Sequence, residues 1–285
     1  MRIGVCTTDF EPLGCDDLFK KIKAHGFECV QFSFVSILEA KYEPTGDIEI
    51  PEKIDDDVIE LIKSCAAKYD IAIPAINGTF NMTHPDKNVR DKGVKRLEVL
   101  CQAASKIGAK FITLCSGTRL KENLWGYHKD TLNPDAWVDF IETARQAVKF
   151  AEQYNIIFAV EPEYGNIINS PENAVRMMKE VGSPNLKMIM DCANLFHPGE
   201  AKRENVHKIM SHAFEVFGDD VVVAHGKDIS SSDGIEFCPS GEGIVDYKLF
   251  IELLRKHNYQ GDMFMHGIYD EDKMEYGIKV VTEHL

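Results

Sequence analysis

The chain has 285 residues, of which 44% are hydrophobic and 27% charged, an ordinary composition for a globular protein with a large core. Its net charge of −14 comes without a basic tract, which argues against partners such as nucleic acid or an anionic membrane. No apolar stretch approaches the ~18 residues of a membrane span. The eight cysteines form no CxxC pair and no signal peptide is recognised, so we expect free thiols and a cytoplasmic location.

Strand-like and helix-like segments alternate through the first half of the chain. Short apolar runs predict strands, and longer segments with helical spacing of apolar residues predict helices. Two of these helices are followed by Gly26 and Gly108, which suit a helix C-terminus. The predicted order is strand 2–7, helix 15–25, strand 27–34, helix 52–69, strand 71–77, helix 86–107 and strand 110–115.

The second half repeats this rhythm. Pro134 and Pro171 stand in the first turns of two predicted helices, where proline is favoured. The predicted order is helix 134–154, strand 156–161, helix 171–181, strand 186–191, helix 200–217, strand 220–225, helix 246–257, strand 262–266 and helix 271–284. Longer loops are predicted at about 35–51, 116–133 and 226–245.

Eight strands and eight helices in strict alternation predict an α/β fold, a single (β/α)₈ TIM barrel spanning residues 1–285 as one domain. The alternative is an open doubly wound sheet. No GxGxxG follows a strand, which favours the barrel. The active site of such a barrel lies at the C-terminal ends of its strands.

Four predicted strands end in a residue that can bind a metal: Glu161, Asp191, His225 and His266. A charged or imidazole group after an apolar run is costly to bury without a partner. One such residue is also explained by a helix cap or a salt bridge, whereas four favour convergence on one divalent ion. Two carboxylates and two imidazoles balance its charge and suit Mn²⁺, Zn²⁺, Fe²⁺ or Co²⁺.

Other polar residues near strand ends are candidates for substrate binding. Asn77 and His84 follow the third strand. Arg119, after the fourth, suits a phosphate or carboxylate, or else forms a salt bridge at the rim. Trp125 either stacks on a sugar ring or packs its loop on the barrel. Asp228 either orients an imidazole or is an ordinary loop residue.

Five short segments together carry a family resemblance: Val160-Glu161-Pro-Glu163, Asp191-Cys-Ala-Asn194, His225-Gly-Lys-Asp228, Gly241-Glu-Gly243 followed by Asp246, and Tyr259-Gln-Gly261. With them, essentially the whole chain resembles the xylose isomerase-like TIM barrel superfamily of sugar phosphate isomerases and epimerases. Its relatives include ketose 3-epimerases, hydroxypyruvate isomerase and inosose-processing enzymes. The resemblance implies that Glu161, Asp191 and His225 bind one divalent metal ion, with Mn²⁺ preferred.

The chain also departs from the ketose 3-epimerases. Their last strand ends in a metal-binding Glu that serves as the second acid/base, whereas this chain has His266. Asn194 stands where they place a substrate-binding His, and His197 lies further on. Glu163 lies close to the position of a further Glu in those enzymes. The resemblance therefore implies the metal site and leaves the 3-epimerase label open.

The implied chemistry is proton transfer next to a carbonyl, through an ene-diolate that the metal stabilises. Glu161 would accept the first proton. His266 would reprotonate the opposite face if one nitrogen stays free of the metal; otherwise Glu163 or His197 are candidates. Without a second base, a 1,2-isomerisation or a β-elimination fits better.

We therefore expect a metal-dependent isomerase or epimerase acting on a sugar, sugar phosphate or polyol ketone. The alternatives are a lyase on the same scaffold, either a dehydratase or a C-glycoside-cleaving enzyme, and a metal-free binding barrel. An AP endonuclease of the superfamily would need more ligands and a basic groove. The resemblance also implies a homo-oligomer, a dimer or a tetramer.

Overall fold

The computed structural model describes residues 1–42 and 48–285. Eight parallel strands close into a barrel in which the first strand pairs with both the second and the last. The sequence-based prediction of a (β/α)₈ TIM barrel is confirmed. The barrel strands are β1 (Ile3–Cys6), β2 (Cys29–Phe32), β3 (Ala72–Asn77), β4 (Phe111–Cys115), β5 (Ile157–Glu161), β6 (Leu186–Asp191), β7 (Val221–Gly226) and β10 (Met263–Met265).

A layer of helices surrounds the barrel. Several begin and end at the residues that the sequence indicates: the Ser170 hydroxyl caps one helix, and Gly182, with a φ of 73°, follows its last turn. The helices are α1 (Cys15–Ala24), α2 (Asp56–Tyr69), α3 (Lys87–Ile107), α4 (Pro134–Tyr154), α5 (Pro171–Val181), α6 (Arg203–Phe217), α7 (Tyr247–Lys256) and α8 (Met274–Thr282).

The loops hold two differences from the sequence-based expectation. The loop predicted at 226–245 contains a small antiparallel pair, β8 (Asp228–Ile229) and β9 (Phe237–Cys238). Helix α2 begins at Asp56, four residues later than predicted. The loop predicted at about 35–51 includes residues 43–47, which lie outside the described residues.

Strand alternation decides which side chains enter the barrel. Successive residues of a strand point to opposite faces. On β5, Phe158 and Val160 pack outward against the helices, whereas Ala159 belongs to a separate apolar cluster inside the barrel. That inner cluster consists of Cys6, Cys29, Ala75, Ala159, Ile189, Val223 and Phe264. The residues two positions further along these strands therefore form the next inner layer, at the C-terminal mouth.

No helix among the described residues is long and apolar enough to cross a membrane. All eight cysteines are free thiols, as expected from the sequence, and seven of them are buried. Buried free cysteine packs as a small hydrophobic residue.

Candidate metal centre

Three of the four predicted ligands meet in the inner layer at the barrel mouth. Glu161, Asp191 and His225 end β5, β6 and β7 and each offers a ligand atom within 4.8 Å of the others. They lie two residues beyond Ala159, Ile189 and Val223, which fill the barrel beneath them. All three are buried. We call Glu161, Asp191 and His225 the strand-end cluster.

The imidazole of His225 is held from both sides. Its Nε2 lies 2.9 Å from Gln31 Oε1, an acceptor, so Nε2 carries a hydrogen. Its Nδ1 faces the carboxylates, 3.2 Å from Glu161 Oε1 and 3.6 Å from Asp191 Oδ2. A hydrogen bond to the far nitrogen is the usual way in which a metal-binding histidine is oriented. The arrangement presents Nδ1 as the ligand atom.

Asp191 has one satisfied and one unsatisfied oxygen. Its Oδ1 accepts the backbone N–H groups of Ala193 and Asn194, at 2.8 and 3.0 Å. Its Oδ2 is buried and has no hydrogen-bond partner in the described part of the chain. A buried carboxylate oxygen without a hydrogen-bond partner is costly, and Asp191 Oδ2 is therefore a candidate ligand atom.

A short chain of hydrogen bonds connects the strand-end cluster to a buried lysine. Lys227 Nζ donates to Asn194 Oδ1 at 3.1 Å, and Asn194 Nδ2 donates to Glu161 Oε1 at 2.8 Å. The ammonium group also lies 3.5 Å from the centre of the Phe237 ring, a cation–π contact. Lys227 therefore places a positive charge beside the carboxylates and fixes the amide that holds Glu161.

These charges shift one another's protonation. Burial alone would raise the pKa of the Asp191 carboxyl, but the attraction of His225 and Lys227 outweighs burial and lowers it. Burial alone would lower the pKa of His225, but the carboxylates of Glu161 and Asp191 raise it to about 9. Burial also opposes the charge of Lys227, yet the neighbouring carboxylates raise its pKa. The carboxylates of Glu161 and Asp191 thus favour positive charge on the groups beside them.

Glu163 stands beside this cluster. Its Oε1 is buried and lacks a hydrogen-bond partner in residues 1–42 and 48–285. Burial, together with the negative charge of Glu161, raises the pKa of the Glu163 carboxyl to about 8. Glu163 lines the same cavity as Glu161.

The donor set fits a divalent cation. Two carboxylates and a neutral imidazole offer two negative charges, and nitrogen together with oxygen suits a transition metal such as Mn²⁺ or Zn²⁺. Asp191 Oδ2, which has no hydrogen-bond partner among the described residues, is free to bind a cation, and Gln31 already sets the tautomer of His225. A divalent cation would relieve the burial cost of both carboxylates.

The fourth predicted ligand, His266, follows β10 and has a different neighbour. Its Nδ1 lies 3.2 Å from Asp9 Oδ1, and its side chain is 25% exposed. Its ring centre is 5.5 Å from that of His225. Within the described ranges, the group of possible ligands contains Glu161, Asp191 and His225 but not His266.

Glu161 and His225 of the strand-end cluster line a cavity of about 340 Å³, a size common for small-ligand sites. Asn77, expected from the sequence to bind substrate, lines this cavity and donates to Glu49 Oε2 at 2.7 Å. Asn194 lines it too. The exposed rings of Trp125, Phe237 and Tyr269 stand around its mouth.

Four residues predicted to bind substrate lie outside this cavity. His84 Nδ1 accepts the backbone N–H of Asp86, and His197 Nε2 donates to Asn169 O at 2.7 Å. The Asp228 carboxylate accepts four backbone N–H groups, from Ile229, Gly241, Gly243 and Val245. A side chain at residue 243 would meet Asp228 Oδ1 at 2.2 Å, which explains that glycine of the Gly241-Glu-Gly243 segment. Asp228 thus organises a loop.

Arg119, the fourth of these residues, belongs to a charged group on the outer layer. Its guanidinium donates to Asp139 at 2.7 Å and to Asp135 at 3.3 Å. Arg90 donates to the other oxygen of Asp139 at 2.8 Å. We call Arg90, Arg119 and Asp139 the arginine cluster. The salt-bridge interpretation of Arg119 thus describes its position, and its guanidinium is not directed into the cavity.

Sequence reasoning missed several residues of the site. Gln31 is the inward residue after Cys29 on β2, and Lys227 stands in the quoted segment His225-Gly-Lys-Asp228. A polar residue within a buried strand was the available signal for Gln31. Asp9 carried no comparable signal, because it lies in a short turn after β1.

Comparison with known proteins yields two curated relatives of low identity. An inosose dehydratase of Glaesserella parasuis serovar 5 (strain SH0165) is 23% identical over 165 residues, which cover 53% of this chain and 55% of that protein. An inosose dehydratase of Histophilus somni (strain 129Pt) is 22% identical over 157 residues, covering 50% and 52%. The chain thus spans about half the length of the curated relatives it matches.

Solved structures show the same fold over the full length. D-psicose 3-epimerase with D-tagatose from Clostridium cellulolyticum H10 has a TM-score of 0.72 at 15% identity, covering 100% of this chain and 99% of that one. 3-Keto-D-glucoside 4-epimerase from E. coli has a TM-score of 0.71 at 17% identity, and a probable 3-DHS dehydratase from Bacillus anthracis 0.72 at 16%; each match covers 99% of both chains.

The family model for this fold matches residues 19–284. The match includes the strand-end cluster, Glu163, Lys227 and His266. The closed barrel and the resemblance seen in the sequence agree with it. The chain belongs to the xylose isomerase-like TIM barrel family.

Proposed function

We propose that this protein is a divalent-metal-dependent isomerase or epimerase that moves a proton at a carbon next to a carbonyl in a small polyol ketone or ketose. The observation that carries the proposal is the strand-end cluster itself. It brings two buried carboxylates and an oriented imidazole together beside a cavity that Glu161 and His225 line, and Asp191 Oδ2 has no hydrogen-bond partner among the described residues. The position at the C-terminal mouth of the barrel supports a catalytic role.

Glu161, Asp191 and His225 Nδ1 would hold the metal ion. When bound, a divalent cation would polarise the substrate carbonyl and stabilise the negative charge that develops on its oxygen. Asn194 keeps Glu161 Oε1 in place, and Lys227 keeps Asn194 in place. Glu161 is therefore positioned to remove the proton from the carbon next to the carbonyl.

The charges of the cavity favour an unphosphorylated substrate. Lys227 is the one Lys or Arg lining the cavity among the described residues, and residues 43–47 contain neither. Its ammonium group already contacts Asn194 and the Phe237 ring. Glu49, Glu161 and Glu163 line the cavity as well and would repel a phosphate. A neutral ketose or cyclic polyol ketone fits this balance, and the substrates named for the inosose dehydratases and the two sugar epimerases are of this chemical kind.

Deuterium exchange tests the proposal. The protein would be loaded with Mn²⁺, Co²⁺ or Zn²⁺ and incubated in D₂O with D-psicose, D-tagatose and inososes, and proton NMR would follow the hydrogen next to the carbonyl. We expect exchange at one carbon in the wild type and a loss of at least ~1000-fold in Glu161→Gln. Glu60→Gln, an exposed change on α2, is the matched control.

Two results would contradict the assignment. Exchange at the wild-type rate in Glu161→Gln would remove Glu161 as the base. Absence of exchange with every ketone, in a protein that binds one metal ion per chain, would reject the isomerase or epimerase reaction and leave the metal site standing.

A second candidate is a dehydratase on the same scaffold, which the similarity to two inosose dehydratases favours. A lyase would also begin by removing the proton next to the carbonyl, but would then expel a hydroxyl group from the neighbouring carbon. Its product absorbs in the ultraviolet as a conjugated enone. Exchange with retention of all hydroxyl groups supports the epimerase, and growth of enone absorbance supports the dehydratase.

The metal preference for Mn²⁺, the homo-oligomer, the cytoplasmic location and the single domain over residues 1–285 stay predictions. Calorimetric titration of each cation into metal-free protein measures the preference, and light scattering coupled to gel filtration measures the oligomeric state.

A further inference from the structure

We propose that Asp9 is a positioning residue that holds His266 as the second proton-transfer group of the site. His266 is then not a metal ligand, and the protein supplies three ligands to the metal. This inference rests on the proposed function and extends it to a residue at the other end of the chain.

The barrel brings the two residues together. Asp9 ends a turn that directly follows β1, and His266 directly follows β10. These strands are neighbours, with Val5 paired to Met265. The Asp9 side chain is fully buried and both of its oxygens are occupied: Oδ1 lies 3.2 Å from His266 Nδ1, and Oδ2 accepts the backbone N–H of Ile268 at 2.9 Å. The carboxylate is therefore fixed in place.

This contact decides the tautomer of His266. A carboxylate only accepts hydrogen bonds, so Nδ1 must donate the hydrogen to Asp9. In the neutral ring, Nε2 then carries the lone pair. Nε2 has no hydrogen-bond partner in the part of the chain that the structure describes, and the ring lines the cavity. Asp9 thus presents a basic nitrogen to a bound substrate.

The position of His266 separates it from the metal ligands. Strands β5 and β10 lie three places apart around the eight-stranded barrel, with β6 and β7 between them. A substrate held between Glu161 and His266 would meet the two groups from different sides, which epimerisation requires. The group of ligand atoms within 4.8 Å of one another omits His266 among the described residues.

The protons taken up and released by the two groups balance in each direction of the reaction. In one direction Glu161 takes the proton from the carbon, the electrons of the C–H bond move toward the carbonyl oxygen, and a doubly protonated His266 returns a proton from Nε2 to the other face. In the reverse direction neutral Nε2 takes the proton and protonated Glu161 returns one. The two groups exchange protons with water between turnovers. Asp9 accepts the Nδ1 hydrogen of His266 throughout, so that Nε2 is the nitrogen that gains and loses the proton.

The variant Asp9→Asn tests the contact with little change of shape. Its oxygen can still accept the N–H of Ile268, while its amide group would face His266 and force Nδ1 to accept, which moves the hydrogen to Nε2. Nitrogen-15 NMR of histidine-labelled protein, without metal, reads this change. We expect the Nδ1–H form in the wild type and the Nε2–H form in Asp9→Asn. Glu172→Gln, beside the exposed His212, is the matched control.

The variant His266→Gln tests the ligand set and does not depend on the folding of Asp9→Asn. Zn²⁺ alone is titrated into metal-free protein by calorimetry. We expect an affinity within about threefold of the wild type, because three protein ligands remain. A loss of tenfold or more would make His266 a ligand and overturn the proposal, as would an unchanged tautomer in Asp9→Asn.

The last readout separates this inference from the proposed function. With a ketose that the wild type epimerises, Asp9→Asn should retain deuterium exchange within about threefold, since Glu161 is intact, while formation of the epimer falls at least tenfold at unchanged KM. If exchange and epimer fall equally, Asp9 does not act through His266. If no ketose reacts even in the wild type, the proposed function fails, and the NMR and Zn²⁺ results still decide the roles of Asp9 and His266.

Discussion

The strand-end cluster is a buried group of charges and the arginine cluster a partly buried one, but in only one of them is every charge paired. In the arginine cluster, Asp139 receives a hydrogen bond from Arg90 on one oxygen and from Arg119 on the other. Each arginine also donates to a backbone carbonyl, of His84 or of Thr83. The result is a closed set of pairs that joins α3, α4 and the loop after β4.

The strand-end cluster has the opposite character. Although Asp191 Oδ1 and Glu161 Oε1 accept hydrogen bonds, Asp191 Oδ2 and the adjacent Glu163 Oε1 lack them in the described residues. Retaining such groups costs stability, and proteins do so mainly where a ligand or a reaction uses them. The two clusters thus differ in whether their polar atoms are all paired, and the unpaired atoms make the strand-end cluster the candidate for ligand binding.

The largest expected effect comes from Asp191→Asn. The amide oxygen can still accept the N–H groups of Ala193 and Asn194, so the metal-free protein should keep its melting temperature within a few degrees. Loss of the charged ligand should weaken metal binding at least ~100-fold and turnover at least ~1000-fold. Metal content by mass spectrometry and proton exchange measure these losses. Normal metal binding by the variant would show that Asp191 is not a ligand.

Next in size is Asp139→Ala, which should affect stability and not metal binding. It leaves two buried guanidinium groups without their shared carboxylate. We expect the free energy of unfolding to fall by about 2–3 kcal/mol, which is less than for a fully buried ion pair because Asp139 is partly exposed. Urea unfolding measures the cost. Asp135→Ala, which removes an exposed carboxylate near the same Arg119, is the matched control and should cost far less. A loss of metal affinity in Asp139→Ala would break the comparison.

The smallest expected effect is that of Asn194→Ala. This change removes the amide between Lys227 and Glu161 without touching a ligand atom. Groups that orient metal ligands typically contribute about 10-fold in affinity, so we expect about that loss for Zn²⁺. Calorimetric titration measures it, with Asn205→Ala on α6 as the control. An unchanged affinity would mean that Asn194 does not orient Glu161.

The fold was predictable because its signals are local. Helix α5 has the predicted bounds, since Ser170, Pro171 and Gly182 specify its ends within a few residues of chain. The pair β8 and β9 was not predicted, because each strand has only two residues. That loop is organised by Asp228, which binds backbone groups 13 to 17 residues away, a contact that no local pattern reveals.

The three residues of the strand-end cluster were predictable from the sequence, but the residues that orient the imidazoles of the site were not. Glu161, Asp191 and His225 follow from apolar runs that end at the barrel mouth. The partners that orient the imidazoles do not: Gln31 lies 194 positions from His225, and Asp9 lies 257 positions from His266. The sequence likewise could not show that Arg119 faces Asp139 on α4. Such pairings arise from the closure of the barrel and from side-chain directions.

The pairing of β1 with β10 has a consequence for the order of folding. The strand-end cluster comes from three consecutive strands, whereas the contact between Asp9 and His266 requires pairing of the first and last strands of the barrel, which are the most distant in sequence. Long-range pairings of this kind incur the greatest loop-closure entropy and tend to form late. With the roles proposed for these residues, a partly folded chain would acquire its metal site before its second proton-transfer group, and would become active only when the ring of strands has closed.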